Sequence, residues 1–156
     1  MKMKKKIFTF LLLLFLSSCG YEARYSIKNR DDYNFSITGL SLTGDRQTNL
    51  KIKQGLNIYT NISEDKTFVL KISSKSEKII KAKNVAGDAT NYENIITIDA
   101  EVFMNGKFKN NFTIEESFNY DNNSDKFALR EYEREIKNNL AETATEKLIF
   151  KLASFQ

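Results

Sequence analysis

Residues 92–121, YENIITIDAEVFMNGKFKNNFTIEESFNYD, decide the fold of this chain. In the first half of this stretch, apolar side chains recur at every second position, with acids and threonine between them. The second half alternates in the same way. A period of two is typical of strands that bury one face, so the stretch predicts an antiparallel hairpin. The apolar positions are Tyr92, Ile96, Ile98, Ala100, Val102 and Met104, then Phe108, Phe112, Ile114 and Phe118.

The dipeptide Asn105-Gly106 indicates where this hairpin turns. A two-residue loop would pair Val102 with Lys109 and put the two apolar sets on opposite faces. We therefore predict a three-residue loop, Met104-Asn105-Gly106, in which Gly106 is a left-handed bulge. The pairs that this loop predicts are Val102 with Phe108, Ile98 with Phe112 and Ile96 with Ile114.

Glu116 is the charged exception on the apolar face of the second strand. We interpret it as a strand-end carboxylate that reaches solvent. The alternative is a position at the margin of the sheet, opposite Asn94.

Two upstream segments also alternate with period two. Phe35 and Ile37, then Leu40 and Leu42, predict a short strand whose phase changes at a bulge at Gly39. The segment 68–83 predicts one long or bulged strand with apolar even positions. Four lysines at its odd positions would project from the face opposite the core. These lysines are Lys71, Lys75, Lys81 and Lys83.

Between these strands, residues 45–63 favour a short helix. Ile52, Leu56, Tyr59 and Ile62 fall on one helical face. Gly55 and several β-branched residues weaken the helix, and Leu50 alternates with Ile52, so a strand remains possible.

The C-terminal segment predicts a long helix, capped by Ser124 or Asp125. Apolar residues recur there at intervals of three and four, and a helix of about 28 residues would be about 42 Å long. Together the elements predict an α+β fold: a two-layer sandwich with an about four-stranded mixed sheet, covered by this helix and the shorter first helix. The stripe consists of Leu129, Tyr132, Ile136, Leu140, Ala144, Leu148, Leu152 and Phe155, widened by Ile149, Phe150 and Ala153.

The N-terminal segment has the layout of a secretory signal peptide. Four lysines precede an apolar run from Ile7 to Leu16 that is too short to span a bilayer, and Ser17 and Ser18 follow it. The segment Leu16-Ser17-Ser18-Cys19 resembles the bacterial lipobox, in which the cysteine is acylated. We therefore predict a lipoprotein signal peptide over 1–18, lipidation of Cys19, a tether over 19–32 and one domain over 33–156.

Acyl chains on Cys19 would hold the domain stably to a membrane. Gly20 follows the cysteine, whereas an aspartate there is associated with retention at the inner membrane. We therefore predict a location at the outer membrane, on its periplasmic side.

The composition argues against an enzyme. The chain has no histidine and a single cysteine, so it has no histidine ligand for a metal, no internal disulfide and no paired-cysteine site. We expect no catalytic residue, no metal site and no cofactor beyond the covalent lipid. The acids of the hairpin match neither an acid–base pair nor a calcium loop, and we interpret them as a solvated or partner-facing sheet face.

The charges of the predicted domain are segregated along the chain. Residues 66–83 contain six lysines and one acid, whereas residues 84–125 contain two lysines and eight acids. Beyond residue 18 the charges balance, which excludes a generally basic nucleic-acid-binding protein. The lysine row could bind phosphate or carboxylate groups. The alternative is that these lysines protect an exposed strand and pair with the acids of the hairpin.

The order of elements resembles the LptE family of lipopolysaccharide-assembly lipoproteins. The resemblance begins at Cys19-Gly20-Tyr21 and is strongest from Tyr92 to Leu152. The segment 92–102 looks like the tyrosine-led third strand of that family, and 118–122 looks like the end of its fourth strand. The segment 141–152 looks like its closing helix.

This resemblance implies a domain that plugs the outer-membrane β-barrel LptD, aids its assembly and helps deliver lipopolysaccharide to the outer leaflet. It also implies two groups of residues that bind lipopolysaccharide, Lys81 with Lys83 and Lys126 with Arg130. Lys71 and Lys75 are further candidates from the lysine row. The alternatives are a scaffold lipoprotein of another envelope complex and a periplasmic lipid carrier, which would need an enclosed apolar cavity.

Overall fold

A computed structural model describes residues 33–155. The signal peptide, Cys19 and the tether lie outside the described residues, so the predictions for them stay predictions. The elements are β1 (Ser36–Gly44), α1 (Arg46–Thr60), β2 (Thr67–Lys83), β3 (Ala89–Met104), β4 (Lys107–Asp121) and α2 (Lys126–Ser154).

The four strands form one mixed sheet in the order β1-β2-β3-β4. β1 runs parallel to β2, and the other two pairs are antiparallel. Both helices pack on the same face of the sheet, α1 against β1 and β2 and α2 against β3 and β4. The predicted α+β class, with a long C-terminal helix and a shorter first helix, is confirmed.

The core lies between the helices and the even-numbered side chains of β2 and β3. Full burial of a large aliphatic or aromatic side chain is worth about 1.5–3 kcal/mol, so this alternation favours one packed face. The opposite face, which we call the outer face, carries the odd-numbered side chains of these strands and has no covering layer among the described residues. The fully buried core side chains include Phe68, Leu70, Ile96, Ile98, Val102, Ile52, Leu56, Leu148 and Leu152.

The segment left open between helix and strand is a helix. Asp45 caps α1 by accepting the amide of Thr48 at 2.8 Å. Ile52, Leu56 and Tyr59 are buried as predicted, whereas Ile62 lies beyond the end of the helix and is exposed.

The bulge predicted in β1 is confirmed, because the pairing of β1 with β2 shifts between Ile37 and Gly39. At the start of α2, Asp125 is the cap and accepts the amides of Phe127 and Ala128. The predicted stripe of α2 is buried from Leu129 to Leu152 apart from the half-exposed Tyr132, Phe155 is half-buried just after the end of the helix, and Phe150 points to solvent.

The prediction of a three-residue hairpin loop is wrong. Met104 pairs with Lys107, which leaves a two-residue turn in which Asn105 and Gly106 have φ values of 50° and 79°. Positive φ at both positions is required by the turn type that matches the twist of paired strands. The phase is corrected at Lys109, where a bulge shifts the pairing so that Ile98 lies opposite Ile114.

Two side chains of β4 differ from their predicted positions for the same reason. Phe108 precedes the bulge, so it lies opposite Phe103 on the outer face, where the two rings meet edge to face at 5.7 Å. Glu116 lies opposite Ile96, not Asn94, and forms an ion pair with Lys147 of α2. Its carboxylate therefore faces the helix instead of ending the strand in solvent.

Gly55 marks the closest approach of the two helices. A Cβ atom at this position would lie 2.7 Å from Cγ2 of Thr145, a β-branched residue with restricted χ1. Alanine is intrinsically favoured over glycine in a helix by about 1 kcal/mol, but this steric conflict opposes that gain.

We expect Gly55→Ala to lower the free energy of unfolding by about 1–2 kcal/mol, because overpacking outweighs helix propensity. Thr145→Ser removes Cγ2 and keeps the hydroxyl that donates to the carbonyl of Ala141. The double variant should recover most of the loss measured by urea denaturation. Strictly additive losses would contradict the close approach.

Asp45 also joins the two helices through Lys137, whose ammonium lies 2.8 Å from its carboxylate. Burial raises the pKa of Asp45, but hydrogen bonds from Lys137 and Thr48 outweigh this effect and leave the pKa below its usual value of 3.8. A carboxyl whose pKa is lower in the folded state stabilises the fold above its unfolded pKa, and this stabilisation is lost as the pH falls through the folded pKa.

We expect Asp45→Asn to lower the free energy of unfolding at pH 7 by about 1–2 kcal/mol. The difference from wild type should shrink as the pH falls below 3.8. Asp45→Ala also removes the helix cap and should cost about 1 kcal/mol more. Urea denaturation over a range of pH measures both effects, and parallel curves for wild type and Asp45→Asn would contradict the assignment.

Candidate anion-binding end of the sheet

Both predicted lipopolysaccharide-binding groups lie at the same end of the sheet. Lys83, at the end of β2, pairs with Ala89, the first residue of β3. Just beyond β4, the Asn122 amide N–H donates to the carbonyl of Thr90 at 2.8 Å, and its side chain donates to the carbonyl of Ala89 at 2.7 Å. Four residues later α2 begins, so its first turn is joined to the same end as Lys83.

We call this region the basic end, after the four predicted cations that lie there. Lys126 donates to the side chain of Asn122 at 3.2 Å and to the carbonyl of Asn123 at 3.1 Å. Arg130 lies one turn further along the same face of α2. The four cations are Lys81, Lys83, Lys126 and Arg130.

The cations of the basic end differ in how strongly they are already engaged. Lys81 forms an ion pair with Glu93 at 2.9 Å, and hydrogen bonds from Lys81 and Ser117 lower the pKa of Glu93. Lys126 is held only by neutral oxygens. Across residues 33–155, neither Lys83 nor Arg130 has an ion-pair partner.

The remaining two candidates lie elsewhere, on the outer face. Lys71 lies 3.9 Å from Glu101 and 5.0 Å from the centre of the Phe103 ring. Lys75 pairs with Glu77 at 2.8 Å. Along β2, Lys71 is about 40 Å from Lys83, at ~3.3 Å per residue. One ligand headgroup would therefore not contact both.

A fifth cation near the basic end has no counterpart in the sequence-based predictions. Lys78 points to the helix side of β2, where its ammonium lies 3.8 Å from the centre of the Tyr92 ring and pairs with Glu133 of α2. The Tyr120 hydroxyl donates to the same carboxylate at 3.0 Å. Lys78 therefore links the sheet to α2. It has an even number, like Phe68 and the other core-facing residues of β2, and this position on the helix side is the signal in the sequence for that role.

Tyr120 is the buried centre of this group. Burial, the hydrogen bond to Glu133 and its charge raise the pKa of Tyr120. The phenol is therefore neutral at physiological pH and acts as a hydrogen-bond donor. Its ring also contacts those of Tyr92 and Tyr132. Both the hydroxyl and the ring of Tyr120 therefore hold the sheet and α2 together.

A concavity lies on the outer face and crosses all four strands. It has a volume of about 720 Å³ and is lined by polar side chains that include Ser41, Lys71, Asp99, Glu101 and Asn111. Asp99 accepts from the hydroxyl of Thr113, and Lys71 pairs with Glu101, so several of these groups are already engaged.

Neither α1 nor α2 has the length and apolar character needed to cross a bilayer. No cluster of three or more potential metal-binding side chains occurs over residues 33–155.

The fold is shared with solved structures of bacterial lipoproteins. Rare lipoprotein B from Shewanella oneidensis superposes with a TM-score of 0.58 at 21% identity, over 74% of this chain and 94% of that one. A minor lipoprotein from Acinetobacter baumannii gives 0.57 at 11% identity, over 78% and 92%. An uncharacterized lipoprotein B from Nitrosomonas europaea gives 0.53 at 9% identity, over 87% and 92%.

This chain has the lipoprotein B fold. No family model matches the sequence, and no curated protein matches it in a sequence comparison. At these identities the structural likeness establishes the fold alone. The comparisons thus support the fold of bacterial lipoproteins and do not identify a family.

Lys78, Tyr92, Tyr120 and Glu133 form a contact group, the Lys78 group, that joins β2, β3 and β4 to α2. This group should stabilise the basic end of the domain. We expect Lys78→Met to lower the free energy of unfolding by about 1–2 kcal/mol, because it removes an ion pair and a cation–π contact. Combined with Glu133→Gln, the loss should be less than additive, with a coupling of about 0.5–1 kcal/mol.

Lys75→Met is the matched control for this prediction. Lys75 lies on the same strand in an ion pair that is more exposed than that of Lys78, and its replacement should change stability by less than about 0.5 kcal/mol. Denaturation of the four variants by urea makes the comparison. Equal losses for Lys78→Met and Lys75→Met would show that the contacts of Lys78 with Tyr92 and Tyr120 add nothing to the free energy of unfolding.

Proposed function

We propose that this chain is an outer-membrane lipoprotein, anchored through Cys19, that partners and plugs an LptD-like β-barrel. It aids assembly of the barrel and helps deliver lipopolysaccharide to the outer leaflet. The observation that carries this proposal is the basic end, because two cationic groups that are distant in the sequence lie at the same end of the lipoprotein B fold.

The chemistry of the basic end suits a phosphorylated lipid. Lipopolysaccharide carries phosphate groups on a glycolipid, and ammonium and guanidinium groups are the side chains that bind phosphate best. Lys83 and Arg130 have no ion-pair partner over residues 33–155, so they can bind a phosphate without breaking an ion pair. Exposed apolar side chains nearby, Ile80 and Phe127, could contact acyl chains.

The outer face suits a position inside a barrel. It is polar and uncovered, and the lumen of a large outer-membrane barrel is polar and hydrated. A sheet with one solvent-exposed polar face can contact the lumen side of a barrel without burying unpaired charge.

The two other candidate functions receive less support. A lipid carrier needs an enclosed apolar cavity, whereas the concavity on the outer face is open and has a mixed polar and apolar lining. A scaffold in another envelope complex would not need cations at one end. The composition also gives no reason to propose an enzyme.

The partner is tested by expressing the lipidated full chain with an affinity tag in its native envelope and solubilising the outer membrane gently. We expect a stoichiometric large β-barrel protein to remain bound. Recovery of the chain alone, or with unrelated envelope proteins, would exclude a stable plug.

The ligand is tested separately with purified protein and lipopolysaccharide. We expect Lys83→Glu and Arg130→Glu each to weaken binding about fivefold, or about 1 kcal/mol, more at low salt than at high salt. Lys53→Glu makes the same charge change on the exposed surface of α1 and should leave binding within about twofold. Equal effects at all three positions would indicate general charge attraction instead of a site.

A further inference from the structure

β2 is an inner strand over its first half and an edge strand over its second half. β1 pairs with β2 only from Thr67 to Ser74, and β1 ends there at Gly44. Within residues 33–155, β2 continues from Lys75 to Lys83 with β3 as its partner on one side and no strand on the other. We call the other side of this segment the open edge. The uncovered backbone of an edge strand is a template for another strand.

The backbone groups that face the open edge can be identified from the ladder. The carbonyls of Lys66 and Ser74 accept amides of the β1 chain, whereas the carbonyl of Thr67 accepts the amide of Asn105 on the side of β3. In a strand, the N–H and C=O of one residue point to the same side, and successive residues alternate. The even residues Ser76, Lys78 and Ile80 therefore direct both groups to the open edge.

These backbone groups have no partner within residues 33–155. No hydrogen bond from a backbone or side-chain group reaches the N–H or C=O of the three even residues on the open side. Six groups are therefore available to an incoming strand, which is enough for a short segment of regular ladder.

The side chains beside the open edge are apolar and basic. Ile79 on the outer face is 40% exposed and Ile80 on the helix side is 51% exposed, so an incoming strand could cover both. Residues 75–83 contain four lysines and one acid, Glu77. Three of these lysines already form ion pairs, Lys75 with Glu77, Lys78 with Glu133 and Lys81 with Glu93, so the four lysines exceed the three paired acids by one positive charge. A strand with acidic side chains would complement this excess and could compete for the exposed Lys75, whereas a basic strand would be repelled.

We propose that the open edge of β2 binds an extended acidic segment of a partner protein by strand addition. The segment would exchange backbone hydrogen bonds with Ser76, Lys78 and Ile80, and its carboxylates would lie near Lys75 and Lys81. This surface differs from the basic end in its ligand, which is a peptide backbone instead of a phosphorylated lipid. It therefore stands whether or not the chain binds lipopolysaccharide.

The probe is a ten-residue synthetic peptide that alternates valine with glutamate. It is added to the full chain in detergent micelles, and amide hydrogen exchange is followed residue by residue. We expect exchange at Ser76, Lys78 and Ile80 to be fast without peptide and to slow at least about tenfold at saturation, because each amide gains an acceptor. Exchange at Ser117 of β4 should not change.

Proline at an even position separates strand addition from other kinds of binding. Ser76→Pro removes an N–H that faces the open edge and leaves the β3 ladder intact, so the protein should fold and lose about tenfold in peptide affinity. Ser76→Ala keeps the N–H and should bind like wild type. If the proline variant does not fold, Lys75→Glu tests the charge instead, with Lys53→Glu as its control.

Several results would overturn the proposal. Absence of protection at saturating peptide would exclude strand addition at this edge. Equal binding of a valine–lysine peptide would exclude an acidic partner. Protection without peptide that rises with protein concentration would show that a second copy occupies the edge, and protection without peptide at every concentration would assign it to the chain itself.

Discussion

β3 is paired on both sides along almost its whole length, and its even-numbered side chains from Ile96 to Val102 are fully covered. Both edges of a central strand are hydrogen-bonded to neighbouring strands, so only its two faces can differ in whether they are covered. Each large aliphatic side chain on that face is worth about 1.5–3 kcal/mol when buried. Both helices must therefore lie on one side, and the other face is left to polar side chains.

This constraint explains why the parts of the fold with strong periodicity could be predicted. The stripe of α2 and the alternation of β3 each extend over many residues, so one irregular position does not change the assignment. The hairpin register depends on a single residue, Lys109, and a bulge there restores the phase that a two-residue turn would lose. The two-residue turn is favoured because its twist matches that of the paired strands, and the bulge costs little. A two-residue turn followed by a bulge and a three-residue loop both put Phe112 and Ile114 on the buried face, so counting those positions does not distinguish them.

The segregation of charge along the sequence has a simple structural origin. The basic segment is β2 and much of the acidic segment is β3, and the two strands are antiparallel neighbours. Lys71 therefore meets Glu101, and Lys81 meets Glu93, as the alternative interpretation of the lysine row proposed. The sequence shows the two blocks of charge, but only the register shows which lysines are neutralised. The partners of Lys78 come from three separate segments, Tyr92 from β3, Tyr120 from β4 and Glu133 from α2, so the sequence pattern alone does not identify them.

The same register decides how the basic end could discriminate between anions. A phosphate that binds Lys81 must compete with Glu93, whose lowered pKa reflects a carboxylate that is well satisfied where it is. A phosphate that binds Lys83 or Arg130 meets no such competition from any described residue. Because exposed ion pairs are individually weak, a single phosphate would gain little from either cation alone. A ligand with several phosphates could gain from both cations, and its affinity would then exceed that of a single phosphate.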